Sequence, residues 1–190
     1  MRILLAAITL LLSAAAHAEV CPLLEFEISK ECIEHYGITD RLAFFESKIA
    51  EAKARYGITA PIRVHVFSSV TYSRFSGTSD EAFSWIETDN TLRPVQEDVY
   101  IKWTLLARQS DTILEHIAYH EPAHFLNGDI SGFHPNGKNT ETAAEHRVLE
   151  IVGEQRYREY IRAYFEEYRP KKIDYDRFVE LVRATVPVPQ

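Results

Sequence analysis

The stretch Asp111–Asn127 reads Asp-Thr-Ile-Leu-Glu-His-Ile-Ala-Tyr-His-Glu-Pro-Ala-His-Phe-Leu-Asn, and its interpretation decides the fold. Asp111 reads as a helix cap, and apolar and aromatic residues continue from Ile113 through Tyr119, so a helix is predicted. Inside it, His120-Glu121-Pro122-Ala123-His124 fits the pattern H-E-x-x-H. Residues i and i+4 of a helix lie on one face about one turn apart, so both imidazoles can reach one metal ion. Glu121 sits beside them, where it can take a proton from a metal-activated water. Pro122 opposes a regular helix: it removes a backbone hydrogen bond and crowds the carbonyl of Ala118, at a cost of about 3 kcal/mol or more. The sequence therefore predicts a kink at 122 or a helix that restarts near Glu121. His116 extends the histidines to i, i+4 and i+8; two turns is a long reach for one ion, so it is read as an exposed or core-edge residue.

The residues downstream choose among metal-site types. A third histidine six positions after the second would complete a longer motif, but Ile130 stands there and Asn127 replaces the glycine that motif needs. The third ligand is then a carboxylate from the next helix, where Glu141-Thr142-Ala143-Ala144-Glu145 offers two acids on one face. Either can be the ligand. Glu141 is preferred, with Glu145 accepting a hydrogen bond from the other nitrogen of a ligating histidine.

With these residues the chain resembles the gluzincin zinc metallopeptidases, especially their small single-domain, minigluzincin-like members, over about residues 99–150. The resemblance implies Zn2+ held by His120, His124 and Glu141, with Glu121 as general base and acid and Glu145 in support. It implies hydrolysis of a peptide bond by a zinc-activated water. A strand near 99–106 would be the sheet edge on which an extended peptide or protein substrate lies. His134, Tyr157 and Tyr160 are candidates for stabilising the oxyanion. Peptidases of this kind generally lack a proline inside the motif. The alternative expectation is a non-catalytic zinc-binding or protein-binding domain that keeps the zincin fold but has lost turnover because of Pro122.

The flanking sequence is read as a single α+β domain, 19–190, zincin-like, with a small mixed or antiparallel sheet, the metal-site helix and C-terminal helices. A helix is expected from Asp40 to Tyr56, its glycine end repeated in Tyr36-Gly37-Ile38-Thr39 and Tyr56-Gly57-Ile58-Thr59. Ile62, Val64 and Val66 alternate with polar partners as a strand, and Val99, Ile101, Trp103 and Leu105 do the same. Between them 68–98 is a long connection with a short strand around Phe83–Ile86. Residues 127–139 read as a loop, Thr140 to Tyr168 as one long helix stopped by Pro170, and Tyr175 to Thr185 as a last helix. Tyr157, Tyr160, Tyr164 and Tyr168 step along one face of the long helix as a core stripe.

Residues 1–18 carry a basic start, an apolar run from Ile3 to Leu12 and small residues at 16 and 18, the layout of a secretory signal peptide cleaved after Ala18. A periplasmic or secreted protein is expected, with no membrane span after cleavage. In that oxidising setting Cys21 and Cys32 are expected to form a disulfide. The net charge of −7 offers no attraction to phosphate backbones, so no nucleic-acid partner is expected.

Overall fold

The computed structural model describes residues 21, 27–68, 82–129, 140–168 and 172–185. The expected signal peptide, residues 69–81 of the long connection and the loop around His134 lie outside them. The fold is α+β, with one short helix, α1 (Lys30–His35), and one long one, α2 (Thr39–Tyr56), ahead of three strands. These are β1 (Ile62–Phe67), β2 (Ala82–Thr88) and β3 (Pro94–Lys102). They are followed by α3 (Trp103–Arg108), α4 (Asp111–Asn127), α5 (Thr140–Val152), α6 (Glu154–Ala163), a π-helical turn (Tyr164–Tyr168) and α7 (Tyr175–Ala184).

The two Tyr-Gly-Ile-Thr copies end α1 and α2 in the same way. The N–H groups of Ile38 and Ile58 reach back to the carbonyls of Ile33 and Lys53, and both isoleucines are buried. Cys21 and Cys32 are disulfide-paired with their Cα atoms 5.3 Å apart, tying the start of the described chain to α1.

The sheet order is β1-β3-β2, with β1 parallel and β2 antiparallel to β3. The expected edge strand near 99–106 is therefore corrected on two counts. It is the central strand, and it stops at Lys102, so Trp103 and Leu105 are helical. The alternation that suggested a longer strand arises where α3 turns Leu105 and Leu106 into the core. Among the described residues the antiparallel edge is β2.

Strand periodicity assigns the two faces. Ile62, Val64 and Val66, with Ile86, Val99 and Ile101, make an apolar inner face that also includes Ser84 and Glu97. The outer face is polar and aromatic. Arg63 donates to both carboxylate oxygens of Asp98 at 2.6 and 2.8 Å, and His65 stands between Asp98 and Glu27, 2.9 Å from each. Tyr100 stacks between His65 and Phe83.

Helix α4 packs its apolar side chains into three separate clusters. Leu114 and Ala118 meet α2, α3 and the sheet, Tyr119 meets α5, α6 and α7, and Phe125 meets Ile58 and Ile86. The helix runs unbroken through Pro122. Burying a side chain such as Ile113, Leu114 or Phe125 contributes about 1.5–3 kcal/mol each, so three of them outweigh the proline's cost. No new helix begins at Glu121.

The expected single helix from Thr140 to Tyr168 is interrupted twice. Gly153, at φ 82° and ψ 158°, separates α5 from α6, and the last turn widens into π-helix at Tyr164. Among the described residues no helix is long and apolar enough to cross a membrane.

The conformation at Gly153 is essentially confined to glycine, and a Cβ there would meet nothing within 4 Å. Gly153→Ala should therefore destabilise through backbone strain alone, by about 1–3 kcal/mol. Urea unfolding should show a lower midpoint with an unchanged slope.

Candidate metal centre

One face of α4 presents His116, His120 and His124, one turn apart, towards α5. Ala143 and Ala144 are buried, and their small side chains let α5 approach closely enough for Glu141 and Glu145 to reach the histidines. His120 Nε2 lies 3.1 Å from His124 Nε2 and 3.1 Å from Glu141 Oε2. His124 Nε2 lies 3.7 Å from Glu141 Oε1. The two histidines meet different oxygens of the Glu141 carboxylate, and His120, His124 and Glu141 form a group that could hold one metal ion.

The opposite nitrogens of the same two rings are also occupied by acids. His120 Nδ1 is 2.9 Å from Glu145 Oε1, an ion-pair distance without hydrogen-bond alignment. His124 Nδ1 is 3.0 Å from Asp129 Oδ2. At His124 the Asp129 carboxylate holds the proton on Nδ1 and leaves the Nε2 lone pair for a metal. Asp129 reaches its position through the end of α4. Gly128, at φ 69°, reverses the chain, and the N–H of Asp129 bonds to the carbonyl of His124 at 3.0 Å. That 6→1 bond brings the Asp129 side chain back alongside the histidine.

His116 is neither exposed nor at the core's edge: only 4% of its surface is accessible. It stacks on Tyr160, and its Nε2 lies 3.0 and 3.1 Å from the two Glu145 oxygens. Glu145 therefore serves two histidines, and His116, His120 and Glu145 form a second group in which a metal could sit. Glu145 is the less suited of the two acids to be the third ligand of the Nε2 site, because it faces the other side of His120.

Electrostatics follow this geometry. Burial disfavours a charged His120, but Glu141 and Glu145 more than offset it and hold the imidazole well above its usual pKa. The hydrogen bond from His120 lowers the Glu141 carboxyl to about 2. Burial pushes Glu145 up, and His116 and His120 together bring it well below the usual carboxylate range.

Glu121 meets the sheet at Ser84, with its Oε2 2.9 Å from Ser84 Oγ. Burial raises its pKa, opposed by His120 and His124. The candidate ligands, Glu121 and Ser84 line a cavity of about 540 Å3 that is also lined by the apolar side chains of Ile161, Phe165, Phe178 and Leu181.

Tyr157 and Tyr160 do not line this cavity. Both are fully buried behind His116, because α6 turns that end of the tyrosine stripe into the core. Tyr164 and Tyr168, beyond the helix's change of pitch, line the cavity instead. His134 is outside the described residues. Asp129, Ser84 and Glu97 escaped the sequence reading. Only Asp129 carried a local signal, an acid directly after the Asn-Gly end of a metal-motif helix.

No family model matches the chain, and neither a curated protein nor a solved structure matches it.

Two outcomes are expected in metal titrations. Asp129→Ala, which frees His124 Nδ1, should weaken metal binding about 10–100-fold. A metal ion bound through His120 must also displace the proton that Glu141 and Glu145 favour on that ring. Affinity should therefore rise with pH, about one proton being released per ion, as read by calorimetry in buffers of different ionisation enthalpy.

Proposed function

We propose that this protein is an exported, zinc-dependent metallopeptidase of the gluzincin type. The observation that carries the reading is the convergence of His120 Nε2, His124 Nε2 and the Glu141 carboxylate, each histidine backed at Nδ1 by an acid, with Glu121 on the same cavity. The signal-like residues 1–18 and the Cys21–Cys32 pair support export.

Zinc bound at this site supplies Lewis acidity, polarising a carbonyl and lowering the pKa of water towards neutrality. Glu121 accepts the proton of the attacking water and returns it to the leaving amine. Ser84 holds one oxygen of that carboxylate, leaving the other for the exchange. An extended peptide is best received by β2, whose Ala82, Phe83 and Ser84 line the cavity and whose outer side pairs with no other strand among the described residues. Backbone hydrogen bonds along such an edge align a chain without reading its sequence. The apolar residues lining the same cavity favour a substrate with a bulky apolar side chain.

The rival reading, a zinc-binding domain without turnover, draws on the near-complete enclosure of Glu121, of which 6% is accessible. The two readings separate on one set of measurements. Wild type should carry about one zinc per chain, lost in His124→Ala. It should cleave members of a peptide library, and Glu121→Gln should keep its zinc while losing about 10²–10⁴ of the rate. Bound zinc with no cleavage in the wild type, and cleavage gained in Pro122→Leu, would establish the rival.

A further inference from the structure

Behind Glu121, on the side away from the histidines, lies a second buried acid. Glu97 is on the inner face of the central strand, in register with Ile62 on β1 and Ile86 on β2, and none of its surface is accessible. Ser84 Oγ lies 2.7 Å from Glu97 Oε1 and 2.9 Å from Glu121 Oε2. A serine hydroxyl has one proton to donate. It can satisfy one carboxylate, and the other close contact then needs a proton that belongs to the acid itself. Two ionised carboxylates sharing one hydroxyl would leave an anion facing a lone pair, an arrangement that burial penalises heavily.

Surroundings decide which acid carries the proton. Glu121 lines the cavity. Glu97 does not, and the charged groups acting on it are two other acids, Glu121 from α4 and Asp98, its neighbour on β3. Its Oε2 is buried without a hydrogen-bond partner among the described residues, tolerable for the carbonyl of a neutral acid and far more costly for a carboxylate.

We propose that Glu97 is a neutral carboxylic acid that positions Glu121 through Ser84, its O–H donating to Ser84 Oγ and the Ser84 O–H donating to Glu121 Oε2. Burial raises the Glu97 pKa from 4.5 to about 8, with Ser84 opposing and Glu121 and Asp98 adding to the rise. The direction of both hydrogen bonds is then set from the sheet outwards, which anchors one Glu121 oxygen and leaves the other for the reacting water. That last consequence rests on the peptidase reading; the proton count does not.

Infrared spectroscopy tests the arrangement without metal or substrate. The purified wild-type protein at neutral pH should show the carbonyl stretch of a protonated carboxylic acid. That band should vanish in Glu97→Gln and shift in Ser84→Ala, where the acid has lost its acceptor. No such band in the wild type, a band that survives Glu97→Gln, or one unmoved in Ser84→Ala overturns the proposal. Should Glu97→Gln fail to fold, the wild-type band and its response to Ser84→Ala still decide. If the wild type cleaves peptides, Glu97→Gln, which retains a donor, should keep its kcat. Glu97→Leu, which retains the volume alone, should lose kcat with KM unchanged; equal kcat in the two variants would overturn the positioning role.

Discussion

Helix α4 carries His116, His120, Glu121, His124 and Asn127 into the interior, and a buried polar group is costly unless something answers it. The rest of the structure is arranged around those answers. Glu145 of α5 faces His116 and His120, Asp129 in the following turn faces His124, and Ser84 of β2 faces Glu121. Arg147 of α5 reaches Asn127 at 3.2 Å. Each answer comes from a different place in the chain, so satisfying α4 requires β2, α5 and the Gly128 turn to dock on it together. The polar centre thereby acts as a registration device: sliding α5 by one turn along α4 would misplace both acids at once.

The apolar packing supports the same helix from its other sides. Because α4 contributes to all three hydrophobic clusters, the loss of one hydrogen bond at Pro122 is set against burial distributed along its length. Its exposed end is also tied down. Glu115 pairs with Lys48 of α2 at 3.3 Å and with Arg156 of α6, while Arg41 of α2 holds the turn between α3 and α4 through Leu106, Gln109 and Asp111. A proline that would break an isolated helix is accommodated here by tertiary contacts on every side. The ion pairs themselves, being partly exposed, contribute little individually, and their role is more one of orientation than of strength.

The candidate ligands were legible in the chain because their relationship is local. His120 and His124, and Glu141 and Glu145, are paired by the pitch of a helix, and pitch is the same in any fold. The same holds for the ends of α1 and α2, where Gly37 and Gly57 follow the last helical turn, and for the alternation of β1. The illegible parts each depend on something distant. Glu97 breaks the alternation of β3 because its partner, Ser84, is on another strand. His116 read as an exposed or core-edge residue because Glu145 and Tyr160 are 29 and more residues away in the chain. Tyr157 looked available to a substrate because nothing in the sequence says which way α6 turns after Gly153.

The amino-acid sequence alone, then, determined the α+β class, the helix that bears the histidines and the acids that face them, since these follow from backbone periodicity and side-chain chemistry over a few residues. The tertiary structure alone decided that β3 is central and β2 the edge, that Glu141 shares the Nε2 side of the histidines while Glu145 and Asp129 hold the Nδ1 side, and that Ser84 and Glu97 stand behind Glu121. Those outcomes turn on which buried group meets which partner across the core, and that is settled only when all the elements that must pay the cost of desolvation pack at once.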